Sequence, residues 1–289
     1  MSAITASAVK ELREKTGVSM MACKKVLEET AGDMTAAIEL LRKRGEAVAQ
    51  KRSSYAAKEG KIVAGREGNT VAVVEVNAET DFTARNDDFL GYTNAVLATA
   101  LASKPADMDG LLAASMGAVT VAQATADIVG KIGENISVKR FKLVEVSSEQ
   151  TAEAYIHGPG KIGVVVLLSH AGSASNEAAS TLAKDICLQI AAAAPVALNS
   201  SDISDDVLAK EREIYADQAK AEGIKEDKLP MVVEGRVKKF LKEAALVEQV
   251  YVKGDGKSLV SKHVEQVAKE ANLPGLKIES FVRFQLGEG

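Results

Sequence analysis

The chain has 289 residues, 46% hydrophobic and 26% charged, enough to bury a sizeable core and to divide into two or three compact units. Its longest apolar runs, Val164-Val165-Val166-Leu167-Leu168 and 190–194, fall well short of the roughly 20 residues of a membrane helix, and the amphipathic start with Glu11 and Glu14 is unlike a signal peptide. No membrane contact and a cytoplasmic location are therefore expected, and the net charge of −4 hides a basic excess in residues 1–61, with 12 lysines and arginines against 8 acids.

Residues 4–45 read as three short helices. Thr5 can cap the first, Ile4 and Val9 are spaced as a hydrophobic staple, and Gly17 stands where that helix should stop. The second carries Met20, Cys23 and Leu27 and ends near Gly32. Asp33 can cap the third, whose Ile38 and Leu41 share a face before Gly45 closes it. Met20 and Met21 are helical neighbours about 100° apart, so they cannot both face one small core; one should be exposed, either incidentally or as an adaptable binding residue. The basic segment over 42–61 (Arg42-Lys43-Arg44, Lys51-Arg52, Lys58, Lys61) lacks aromatic interleaving. It therefore reads as a solvated tether in preference to a nucleic-acid platform.

From Lys61 the period changes. Residues 61–66 and 70–77, joined across Glu67-Gly68-Asn69, form a hairpin by alternation and turn chemistry, and helical patterns follow over 89–101 and 119–132 before an alternating strand over 137–146. The second half runs in the same order. Segments 154–157 and 161–168 flank Gly158-Pro159-Gly160, helices are expected over 178–194 and 258–271, and the strand over 277–286 carries Phe281-Val282-Arg283-Phe284, which echoes Val138-Lys139-Arg140-Phe141. Two duplicated α+β halves, each with helices on one face of an antiparallel sheet, account for this order. The second half also holds an insertion: 202–223 is charged with helical spacing at Val207, Ile214 and Ala221, and Pro230 precedes a helix through Val233, Val237 and Phe240, together a helical hairpin.

Catalytic constellations are missing from the pattern. His157, His170 and His263 lie apart without metal-ligand spacing and read as surface or turn residues. Gly254-Asp255-Gly256-Lys257-Ser258 has Tyr251 where a phosphate loop needs its first glycine, and Gly158-Pro159-Gly160-Lys161 leads into a strand. Neither is expected to bind nucleotide. Cys23 and Cys187 each sit in an apolar helical pattern and read as buried free thiols. The segment that departs from the rest is Glu75-Val76-Asn77-Ala78-Glu79-Thr80-Asp81-Phe82, a strand that runs into a polar turn with a carboxylate beside a phenyl ring. Two readings stand: Thr80 or Asp81 caps the following helix with Phe82 packed beneath it, or Phe82 is an exposed wedge, pre-organised so that insertion into a partner costs little ordering entropy. The second exit, Ser169-His170-Ala171-Gly172, is bland by comparison.

The run from Leu12 to Leu27, with Met20-Met21-Ala22-Cys23-Lys24-Lys25, closely resembles the N-terminal signature of bacterial translation elongation factor Ts, and Glu75 to Arg85 resembles the second signature of that family. The similarity extends over nearly the whole chain. It implies an α+β protein with a ubiquitin-associated-like three-helix domain (1–55), a duplicated core whose halves are 56–147 and 148–198 with 230–289, and a helical protrusion (199–229). It also implies a guanine nucleotide exchange factor for elongation factor Tu, acting transiently within the ribosomal elongation cycle. No cofactor, metal, direct nucleotide binding, nucleic-acid contact or bond-making chemistry is then expected. By position, Thr80, Asp81, Phe82 and Thr83 match the segment that dislodges Mg²⁺ from the GTPase, Arg13, Met20, Met21 and Lys24 match its N-terminal docking face, and His157 matches a core contact. Thr83 stands where the family often has valine and Ala78 where it has a small polar residue or cysteine. Many members continue past the position of Gly289 into a further helical module. Competing readings are an RNA-associated adaptor using 42–61 and a nucleotide-binding enzyme using the Lys257-Ser258 loop.

Overall fold

The structure is a computed structural model that describes residues 4–171 and 176–288. Of the second exit segment only Ser169 to Ala171 is therefore described, and Gly172 lies outside the described residues, as does Gly289. Helices α1 (Ala6–Thr16), α2 (Met20–Glu29) and α3 (Met34–Arg52) open the chain, each begun by a side-chain cap: the Thr5 hydroxyl accepts from the Ala8 N–H, Ser19 from Ala22 and Asp33 from Ala36. Their buried seam is Val9, Leu12, Cys23, Val26, Leu27 and Ala37.

Gly45 does not end the third helix, which runs on to Arg52. A glycine signals a helix end when the chain must turn left-handed, but the same lack of Cβ also permits close backbone approach. Gly45 serves the second purpose, being buried where a Cβ would lie 3.1 Å from the Ala126 carbonyl oxygen. The extra turns carry Val48 and Ala49 onto the neighbouring core. The expected tether is thus corrected over most of its length, since residues 42–52 are helical and Arg44 and Arg52 pair with Glu29 and Glu79.

Strands β1 (Glu59–Glu67) and β2 (Thr70–Ala78) pair antiparallel, with Glu67 opposite Thr70, leaving Gly68-Asn69 as a two-residue loop. Every residue of β2 is buried. Helix α4 (Asp87–Ser103), capped by Asn86, covers the sheet with Phe89, Val96, Leu97 and Ala100. A short helix α5 (Met108–Ala113) and a small ribbon, β3 (Ser115–Met116) and β4 (Val119–Thr120), follow. They are too short to show periodicity, and they move the start of the expected helix at 119 to α6 (Val121–Ile132), begun by a reciprocal Thr120–Gln123 capping box. Strand β5 (Ser137–Glu145) completes a sheet of order β1-β2-β5. Inside it the Arg140 Nε donates to fully buried Glu75 at 2.7 Å, its guanidinium lies over Phe284, and it donates to the Gln285 carbonyl at 2.9 Å.

The remainder holds β6 (Gln150–His157), β7 (Ile162–Ser169), α7 (Glu177–Ala193), α8 (Asp205–Ala221), α9 (Leu229–Ala244), α10 (Val260–Glu270) and β8 (Lys277–Gln285), with sheet order β6-β7-β8. Helices α8 and α9 form a hairpin tied by Arg212–Glu234 and Arg236–Glu222 ion pairs. The fold class is α+β, mixed helix and antiparallel sheet. It divides into two compact units. One holds the chain up to Leu143 with Gly158–Ile162 and the end from Phe284; the other holds Val144–His157 and Gly163–Arg283. No helix among the described residues is long and apolar enough to cross a membrane.

Candidate functional site

The exit of β2 is a built platform. Glu79 accepts from the Arg52 guanidinium at 3.2 Å with each carboxylate oxygen and from the Asn135 backbone N–H at 2.6 Å. Thr80 donates its backbone N–H to Glu134 Oε2 at 3.1 Å and its hydroxyl to Glu134 Oε1 at 2.8 Å. The same hydroxyl oxygen accepts the Thr83 N–H at 3.3 Å. A short 3-10 turn over Thr83–Arg85 follows, closed by the Asn86 N–H on the Thr83 carbonyl. Thr83 is buried, whereas Phe82 is 83% exposed at the apex.

Packing of Phe82 beneath the helix is thereby corrected. Asn86 supplies the α4 cap by accepting from the Asp88 N–H, and Phe89 fills the core beneath, so neither Thr80, Asp81 nor Phe82 is needed for those tasks. Asp81 instead accepts from Arg85 at 2.9 Å, an exposed pair one helical turn apart. The tip presents a ring flanked by one carboxylate and one guanidinium.

A second surface lies on α1 and α2. Arg13 is exposed, as are Met20 (43%), Met21 (77%) and Lys24, whose ammonium stands 3.8 Å from Glu28. One of the two methionines was expected to be exposed; Met21 is, and so is Met20. Met20 sits in the first turn of α2, whose buried residues are Cys23, Val26 and Leu27. Both methionines are therefore free to touch something else.

A family model described as Elongation factor TS matches residues 79–288, beginning at the Glu79 of this tip. The chain belongs to the elongation factor Ts family. Elongation factor Ts of Clostridium perfringens strain SM101 is 44% identical over 99% of this chain and 94% of its own length. The Chloroherpeton thalassium elongation factor Ts is 42% identical over the whole of both chains, and that of Thioalkalivibrio sulfidiphilus 43% over 99% and 93%. These alignments take in the N-terminal helices as well as the tip. Membership in the elongation factor Ts family puts the chain among the elongation factors of protein biosynthesis.

His157 ends β6 in the other compact unit, exposed, with its Nδ1 2.9 Å from the Tyr155 hydroxyl. His170 is not at the surface: it is buried with Nε2 2.9 Å from the Thr151 hydroxyl. His263 stacks on Tyr251 at 4.0 Å. In the loop that imitates a phosphate site, the Asp255 carboxylate itself accepts the Lys257 and Ser258 N–H groups, which hold it below the usual carboxylate range. Those amides already have their anion. Both cysteines are buried and free. Sequence reasoning missed Glu134 and Asn135, which lie more than fifty residues from Thr80 and Glu79 in the chain.

Proposed function

We propose that this chain is a guanine nucleotide exchange factor that binds elongation factor Tu, disturbs its Mg²⁺ and phosphate site, and promotes release of GDP so that GTP can bind. Thr80, Asp81, Phe82 and Thr83 form the wedge, Arg13, Met20, Met21 and Lys24 dock the N-terminal helices, and His157 adds a contact from the core. The observation that carries this reading is the 83% exposed Phe82 ring on a turn whose base is pinned by Glu134 and Asn135. An exposed aromatic held rigidly loses little entropy on insertion, which suits a group that must displace a bound ion. No bond is made or broken. A protein that binds the nucleotide-free GTPase better than its GDP form must weaken GDP by the same factor, about 1.4 kcal/mol for each tenfold. Dislodging the partner's Mg²⁺, the largest local charge at a phosphate site, is an effective source of that difference.

The domain scheme belongs to the same proposal: a ubiquitin-associated-like module over 1–55, core halves over 56–147 and over 148–198 with 230–289, a protrusion over 199–229, and action in the cytoplasm. Duplication of the core is supported by the shared strand orders and by α4 and α7, each 17 residues long, capped by an asparagine and ended by a non-glycine residue in the left-handed region, Lys104 at φ 47° and Ala194 at φ 44°. The test is release of labelled GDP from the cognate elongation factor Tu, with complex formation followed separately. Wild type should accelerate release, while Phe82→Ala should bind and exchange poorly. No acceleration by wild type overturns the assignment, and an unimpaired variant removes Phe82 from it.

A further inference from the structure

We infer that Glu134 is a positioning residue for the tip, acting through Thr80 to hold Phe82 in its projecting conformation. It follows the left-handed Gly133 that ends α6 (φ 84°), which turns the chain back toward β2. A carboxylate is an acceptor at both oxygens, and both are used on one residue, the Thr80 amide at 3.1 Å and the Thr80 hydroxyl at 2.8 Å. Engaged in this way, the hydroxyl has its proton directed at Glu134 and its oxygen turned to the Thr83 N–H. The order of dependence runs from Glu134 to Thr80 to Thr83, and Phe82 lies inside the loop so closed. Asn135 repeats the device one residue along, donating its N–H to Glu79. Two successive residues of one turn thus hold two successive residues of the other in reciprocal fashion, side chain to backbone and backbone to side chain.

A glutamine at 134 offers one acceptor and an amide that cannot receive the second Thr80 donor, whereas alanine offers none. The fold does not depend on this residue for packing, because the core beneath is made by Phe89, Ala78 and Ile136. Its loss should loosen the display of Phe82 while leaving the docking face on α1 and α2 intact.

The inference rests on the exchange reading for its functional arm, and the test keeps the two apart. In the free protein, amide hydrogen exchange of Glu134→Ala should rise at least tenfold at Thr80 and Thr83 with β2 protection unchanged; unaltered protection at the tip, or loss spread through β2, overturns the positioning role whatever the partner does. With cognate elongation factor Tu, the maximal GDP release rate at saturating factor should fall about tenfold, the loss of one charged hydrogen-bond set, with the half-saturating concentration within about threefold. Glu134→Gln should lie between. In a Phe82→Ala background, Glu134→Ala should change the release rate no further; an equal fall there, or a full rate in the single variant, overturns the inference. Failure of wild type to release GDP would count against the exchange reading alone, because the hydrogen-exchange arm stands without it.

Discussion

Gly130 of α6 meets Gly45 of α3 backbone to backbone: a Cβ built on Gly130 would fall 2.7 Å from the Gly45 Cα. In an exposed helix interior, replacing glycine by alanine favours the helix by about 1 kcal/mol. Here the overlap is with main chain, which cannot rotate away, and overpacking of this kind costs about 1–3 kcal/mol. Gly130→Ala should therefore lower the urea midpoint. Gly45→Ala, which meets the Ala126 carbonyl oxygen at 3.1 Å, should cost less. A Gly130→Ala protein as stable as wild type would mean that the two helices slide apart freely.

The Glu75–Arg140 pair gives the second expectation. Glu75 is fully buried and Arg140 is its charge partner at 2.7 Å, while the guanidinium also receives the Phe284 ring and holds the Gln285 carbonyl. Arg140→Ala leaves a buried carboxylate without its cation and frees the end of β8, so unfolding should be easier by about 3 kcal/mol. Replacing Glu75 and Arg140 together by glutamine and methionine should cost less than Arg140→Ala alone. Equal losses in urea titrations would show that the cost is lost packing and not the stranded charge.

Gly45 and Glu134 also mark where sequence reading reached and where it stopped. Caps, hairpins and the long strands were legible because each is fixed by residues within a few positions: Thr5 and Asp33 cap as expected, and β1, β2, β5, β7 and β8 form where strands were expected, with β2 and most of β7 buried on both faces. Gly45 was misread because a helix stop and a close helix contact require the same missing Cβ, and only the position of Gly130 separates them. The tip itself was visible as a strand ending in Thr80-Asp81-Phe82. Its support was not, because the Thr80–Glu134 pairing spans 54 residues and leaves no local period. Arg52 on Glu79, 27 residues apart, was hidden for the same reason, and the basic segment therefore looked like a tether.

Alkaline pH should weaken the fold in a defined range. Burial, helped by the nearby Glu153 charge, pushes the Cys187 thiol from 9.0 up to about 12, and burial pushes the Tyr92 phenol from 10.0 up to about 12. Both groups stay protonated in the fold and ionise near their ordinary values when it opens. A raised acid of this kind contributes stability that is whole below its unfolded pKa and is lost as pH climbs toward the folded one. The unfolding free energy should fall from about pH 9 upward, each group adding a slope of at most about 1.4 kcal/mol per pH unit. Cys187→Ala, whatever it costs at neutral pH, should show a smaller drop between about pH 7 and 10 than wild type. Parallel urea profiles for the two proteins over that range would remove Cys187 from the account.

Phe82 and Phe89, seven residues apart, should respond to the same substitution in opposite ways. Phe89 is fully buried in the cluster under α4, so Phe89→Ala should cost about 3–5 kcal/mol through lost burial and the cavity left behind. Phe82 is 83% exposed and has no part in that cluster, so Phe82→Ala should stay within about 0.5 kcal/mol of wild type. The comparison bears on function because an exposed phenyl ring contributes nothing that folding requires, and a polar residue at the apex would be at least as compatible with water. A turn fastened by Thr80, Glu134, Glu79 and Asn135 that displays such a ring is what the proposed wedge requires. Urea denaturation of both variants decides the point: a large loss for Phe82→Ala would return the ring to the fold and take away the ground for a wedge.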